Sequence, residues 1–154
     1  MLHWARLVHE KLATIATFAY SQKALADMRD EHFVGEWKFL NKVIHEIPEE
    51  EATKACLEFA LYMRALDDEQ RLTDFWKETE RVPNVGALYL KNGKTEPLSP
   101  REMTNKIIHA ERIEWGVAGD PKIICTPRER DNERWLRADI DVRSMLAVGG
   151  MLGS

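Results

Sequence analysis

Residues that break helices are spread very unevenly along this chain. Of its eight glycines and six prolines, only Gly35 and Pro48 fall before Val82. The remainder punctuate the second half, so the first half is free to run as long helices while the second must turn repeatedly. At 154 residues, with 44% hydrophobic side chains and five tryptophans, the chain can build one continuous core without metals or disulfides. The expectation is a mainly α protein: a helical bundle of four to five helices with small β-hairpin elements in the C-terminal half. This is an α+β arrangement in a single domain over residues 1–154.

Hydrophobic periodicity places the elements. Trp4, Val8, Leu12, Ile15 and Ala19 recur at helical spacing, and Phe33, Trp37, Leu40, Ile44 and Ile47 repeat the pattern before Pro48, giving two long helices or one kinked helix. Glu49, Glu50 and Glu51 form an acidic first turn for a third helix carrying Cys56, Phe59, Ala60, Met63 and Leu66, with Asp67 and Asp68 at its end. A shorter helix with Leu72, Phe75, Trp76 and Thr79 inward stops at Val82-Pro83. Residues 86–97 read as a β-hairpin, since Asn92-Gly93 supplies the positive φ angles of a two-residue turn. Ser99-Pro100-Arg101-Glu102 is a capping box with Pro at the first helical position, so a helix is expected over residues 99–111. A second hairpin follows over residues 122–142, with strands at 122–126 and 135–142, and a short helix over 143–148.

The helix at 99–111 holds the main candidate for chemistry. At about 100° per residue, Arg101, Asn105, His109 and Arg112 fall on one ridge, with Met103, Ile107 and Ala110 opposite. Ile108 lies within the ridge, which implies that it is half-buried. A histidine moves protons near neutral pH, a guanidinium neutralises a phosphate, and an Asn amide orients either. The same residues also serve as a hydrogen-bonded polar seam between elements.

The run Leu98-Ser99-Pro100-Arg101-Glu102-Met103-Thr104-Asn105-Lys106-Ile107-Ile108-His109-Ala110 resembles the conserved helix of HEPN-type domains, named for higher eukaryotes and prokaryotes nucleotide-binding. These are α-helical bundles, many of them ribonucleases of toxin–antitoxin, phage-defence and RNA-processing systems. Their active members carry an Arg, usually followed by a polar residue, then a His four to six residues on. Asn105 matches the polar position and His109 the histidine, whereas Thr104 stands where the family places Arg, and Arg101 is separated from His109 by seven residues. The resemblance therefore implies a non-catalytic or weakly active homodimeric domain of a defence or toxin–antitoxin type that binds RNA, a nucleotide or a protein partner. The alternative it carries is a metal-independent endoribonuclease. There, His109 transfers the proton, Asn105 orients, and Arg101 or Arg112 stabilises charge as the 2′-OH attacks the adjacent phosphate.

Charge and composition narrow the rest. The net charge of −4 arises within residues 1–100, which hold 13 Lys and Arg against 17 Asp and Glu, while the remainder balances 9 against 9. No segment is basic enough for a non-specific nucleic-acid coat. Cys56 and Cys125 lack metal or redox spacing and read as buried packing residues in a reducing, cytoplasmic compartment. Arg6, His9, Glu10 and Lys11 interrupt the first apolar stretch, so neither a membrane span nor a signal peptide is expected. His32 and Glu36, one turn apart beside Asp27, Asp30 and Glu31, read as a solvated face, and His3, His9 and His45 as surface or partly buried. No metal and no cofactor is expected. Residues 116–119 form a turn without the Lys of a phosphate loop, residues 127–133 a solvated charged tip, and the tryptophans core and interface anchors.

Overall fold

The computed structural model describes residues 3–129 and 134–153. Among the described residues, five α-helices and one π-helical segment accompany one five-stranded antiparallel sheet, an α+β arrangement with the sheet in the C-terminal half. Helix α1, Trp4–His32, and helix α2, Ile47–Gln70, pack along each other. Val8, Leu12, Ile15 and Ala19 of α1 and Cys56, Phe59, Ala60 and Met63 of α2 are buried in one core. The spacing of three and four residues puts each set on one stripe. Lys11 reaches across to Glu58 at 2.9 Å.

The second helix expected before Pro48 does not form as such. Residues 33–39 are not helical, and the chain re-enters helix through a π-helical segment, Lys42–Glu46, that runs directly into α2. Proline explains the wide turn: Pro48 has no N–H to give to the carbonyl four residues back, and its ring crowds that carbonyl. The Ile47 N–H bonds instead to the Lys42 carbonyl five residues back, and the Ile44 carbonyl accepts from Gln22 Nε2 of α1 at 3.3 Å. Pro48 thus stands in the first turn of α2 rather than ending a helix. The helix also passes Asp67 and Asp68 and stops at Gln70, where Arg71 takes a left-handed conformation before α3, Leu72–Glu78.

Strands β1, Gly86–Leu90, and β2, Thr95–Pro97, form the expected hairpin. Its turn is longer than a two-residue loop: the Gly93 N–H bonds to Leu90 O, Leu90 N–H to Lys94 O, and only Gly93 takes positive φ. Helix α4, Pro100–Ile108, then carries the chain from the β2 edge of the sheet to the opposite edge, where β3, Ala110–Gly116, begins. Strands β4, Lys122–Pro127, and β5, Trp135–Asp141, complete the order β2-β1-β5-β4-β3. The two hairpins of the sequence are therefore parts of one sheet, joined where β5 pairs with β1, and β3 is a strand that the sequence did not suggest. Residues 130–133 of the expected charged tip lie outside the described residues.

One face of the sheet carries the rows Leu88, Ala138, Cys125, Ile113 and Ile140, Ile123, Trp115, which are buried or half-buried against the helices. Met103 and Ile107 add α4 to that core, with Leu98 just before it, and Met145 and Val148 add helix α5, Val142–Gly150. Helix α5 extends two residues beyond the expected end at 148. Gly149 lets it sit against α1, since a Cβ there would overlap Leu12 Cδ2, and His9 Nε2 donates to the Gly149 carbonyl at 3.0 Å.

Candidate functional site

Ser99 caps α4 as its sequence implies, with Oγ accepting the Glu102 N–H at 3.2 Å and donating to Glu102 Oε1 at 3.1 Å. The helix ends at Ile108, three residues before the expected end. The His109 N–H bonds back to both the Asn105 and Ile107 carbonyls, and the chain turns into β3. Two of the four ridge residues thereby leave the helix: His109 is its exposed C-cap, and Arg112 lies on β3 with its guanidinium 3.4 Å from Glu114. The continuous ridge of Arg101, Asn105, His109 and Arg112 does not exist, because β3 pairs with β4 through Arg112–Thr126 and Ile113–Cys125 instead of extending the helix. Asn105 and Ile108 are half-buried and Met103 and Ile107 buried, as the periodicity of α4 requires.

Arg101 has a different task. Its Nη1 lies 3.2 Å from Asp67 Oδ2 and 3.1 Å from Asp68 Oδ1 at the end of α2. Asp67 is 8% exposed and also accepts the Thr73 N–H at 2.7 Å and the Thr73 hydroxyl at 2.6 Å. One carboxylate thus caps α3, supports the left-handed turn at Arg71 and anchors α4. The open cleft beside it, about 410 Å³, is lined by Asp67, Asp68, Arg71, Thr73, Asp74 and Arg101. Arg71 pairs with Asp74 at 3.0 Å, so three carboxylates face two guanidiniums that already have anionic partners. A phosphate entering this cleft would have to displace a carboxylate.

Two further polar clusters were not singled out in the sequence. Arg29 Nη1 donates to Asn41 Oδ1 at 3.0 Å and to His45 Nε2 at 3.1 Å. A guanidinium only donates, so His45 Nε2 accepts, and Nδ1–H is left to donate to Gln22 Oε1. This chain of bonds ties the π-helical segment to α1. On the outward face of the sheet, Arg137 places Nε 2.7 Å from Asp139 Oδ1 and donates from Nη2 to Oδ2 at 2.9 Å, while its Cζ lies 4.7 Å from the Tyr89 ring centre. Among the described residues the buried Oδ1 accepts no hydrogen bond, so the Nε approach to it is an ion pair. The hydrogen bond from Arg137 to Asp139 raises the guanidinium above its ordinary pKa. The i, i+2 spacing of Arg137 and Asp139 on an alternating strand was the available signal.

The remaining candidates divide by burial. His45 is half-buried, and His32 is exposed, 3.8 Å from Glu31. Among the described residues no group of three or more His, Cys, Asp or Glu side chains is placed to hold a metal ion. Cys56 and Cys125 are both buried, and burial pushes the thiol of Cys125 up to about 12 and raises that of Cys56 as well. Trp135 is buried with Lys106 Nζ 4.8 Å from its ring centre. Trp115 stacks edge-on to Phe18 and donates from Nε1 to Thr53 Oγ1 at 3.0 Å. Trp37, by contrast, is 55% exposed, with its ring edge-on to Phe33. Leu72, Phe75, Trp76, Val148 and Leu152 line an apolar groove of about 860 Å³ at α3 and α5. Among the described residues no helix is long and apolar enough to cross a membrane.

No protein family, curated protein or solved structure matches the chain.

Proposed function

We propose that this chain is a non-catalytic interaction domain, HEPN-like in the sense its 98–110 segment implies, serving a defence or toxin–antitoxin type of system. The observation that carries the non-catalytic reading is the commitment of Arg101 to Asp67 and Asp68. A ribonuclease of the kind the resemblance implies needs a free guanidinium beside its histidine, and catalytic geometry tolerates little displacement. Arg101 is held at the far end of α4 from His109, and Arg112 is on another element beside Glu114. The system type rests on the resemblance alone, and with it the expectation of RNA or a nucleotide as ligand. The carboxylates lining the Arg101 cleft favour a protein partner over a phosphate ligand.

Incubation of the purified protein with single-stranded RNA in EDTA tests this directly. The expected result is intact RNA for the wild type and for His109→Ala alike. Cleavage that resists EDTA and is lost in His109→Ala would overturn the proposal and establish the endoribonuclease alternative, with Asn105 and either Arg101 or Arg112 as its supporting residues.

A further inference from the structure

The two edges of the sheet are built differently. Strand β2 has three residues and ends in Pro97, which has no N–H to offer a further strand. Strand β3 has seven residues without proline, and among the described residues it pairs on one side only, with β4. Its unpaired side borders an open groove of about 830 Å³ between β3 and the first turns of α2, lined by Arg112, Ile113, Glu114 and Trp115 on the strand and by residues including Lys54 and Leu57 on the helix. A long free edge left uncovered is a template for another strand.

From this edge we infer that β3 pairs antiparallel with β3 of a second copy, about a two-fold axis through Ile113, making one ten-stranded sheet across a homodimer. The charges of the strand select this occupant. In that register Arg112 lies directly opposite the partner's Glu114, and Glu114 opposite the partner's Arg112, while Ile113 meets the partner's Ile113. Directly opposed residues of antiparallel strands have their side chains on the same face, where opposite charges stabilise and like charges destabilise the pairing. The alternation Arg-Ile-Glu is thus self-complementary under a two-fold, as an isologous interface requires. Edge protection works by charges that repel a second strand, and this pattern does the reverse for a copy of itself.

The neighbouring helix supports the same arrangement. Leu57 and Leu61 are 40% and 55% exposed on the solvent face of α2, and Leu57 lines the groove. Strand pairing alone covers less than the roughly 800 Å² per partner of a standard interface, and this apolar stripe on α2 supplies more. The inference concerns how copies associate and stands whether or not the non-catalytic reading holds.

Charge reversal tests the register. Arg112 and Glu114 have 73% and 54% of their side chains exposed, so their substitution leaves the core untouched. By sedimentation velocity over a micromolar to submillimolar range, the wild type is expected as a dimer. Arg112→Glu and Glu114→Arg each oppose like charges twice in a homodimer and should weaken it about tenfold or more. Their equimolar mixture should form a heterodimer, since one chain carries acid at both positions and the other base at both, and the double reversal should dimerise as the wild type does. A wild type that stays monomeric, single reversals that dimerise unchanged, or a mixture that remains monomeric would each overturn the inference.

Discussion

At the scale of single residues, Asp67 joins the end of α2 to α3 and α4. Its carboxylate, nearly buried, accepts from the Thr73 backbone, the Thr73 hydroxyl and Arg101. Truncation leaves the half-buried Thr73 N–H and a guanidinium without it, while Asp68 still offers Arg101 an exposed partner. Asp67→Ala is therefore expected to cost about 2 to 3 kcal/mol of stability, whereas His109→Ala, at an exposed C-cap, should change it by less than about 0.5 kcal/mol. Urea denaturation of the two variants checks the contrast, and equal costs would contradict it. The chemistry of Arg101 and His109 was visible in their residue types. Their partners were not, because Asp67 lies 34 positions away and meets Arg101 only when α2 and α4 pack.

Among the elements, the best-read are those with strong local signals. Ser99 and Pro100 fix the start of α4, and Asn92-Gly93 fixes the first hairpin, because a cap and a turn are made by neighbours in sequence. Where α4 stops is another matter. Residues 105–116 suit either a longer helix or a strand. Pairing of Ile113 with Cys125 and Trp115 with Ile123 decides for the strand, and sets both side chains, half-buried, on the core-facing side of the sheet. Pro48 was equally ambiguous, since a helix can end before proline or widen around it, and Gln22 of α1 makes the second possible by satisfying the Ile44 carbonyl. The β1–β5 junction offers a test at this scale. Gly86 sits against the backbone of Asp139 so closely that a Cβ would overlap its carbonyl oxygen. Gly86→Ala should lower stability by about 2 kcal/mol or more, because backbone rather than a flexible side chain has to move. A thermal melt that matches the wild type would show that the two strands part without cost.

Across the whole molecule, one core joins the N-terminal helices to the sheet, and both thiols are inside it: Cys56 on α2 and Cys125 at the centre of β4. Burial raises both pKa values above their ordinary value of 9.0, Cys125 to about 12. The unfolded chain therefore releases these protons above about pH 9 while the folded chain keeps them. Their contribution to stability is complete below that pH and is lost as the pH rises toward the folded-state values, at about 1.4 kcal/mol per thiol per pH unit. Urea titrations from about pH 8 to about pH 11 should show a steeper decline for the wild type than for the Cys56→Ala/Cys125→Ala variant. Identical slopes would mean that the thiols ionise in place. The sequence by itself determined the division into a helical first half and a turning second half, the caps, the first hairpin and the buried cysteines. Breakers, capping side chains and hydrophobic period act over a few residues. Only the tertiary structure decided that two hairpins and an unforeseen β3 make one sheet and that Arg101 belongs to Asp67 rather than to His109. Strand pairing and ion pairs across helices join residues far apart in the chain, and their partners are chosen by packing.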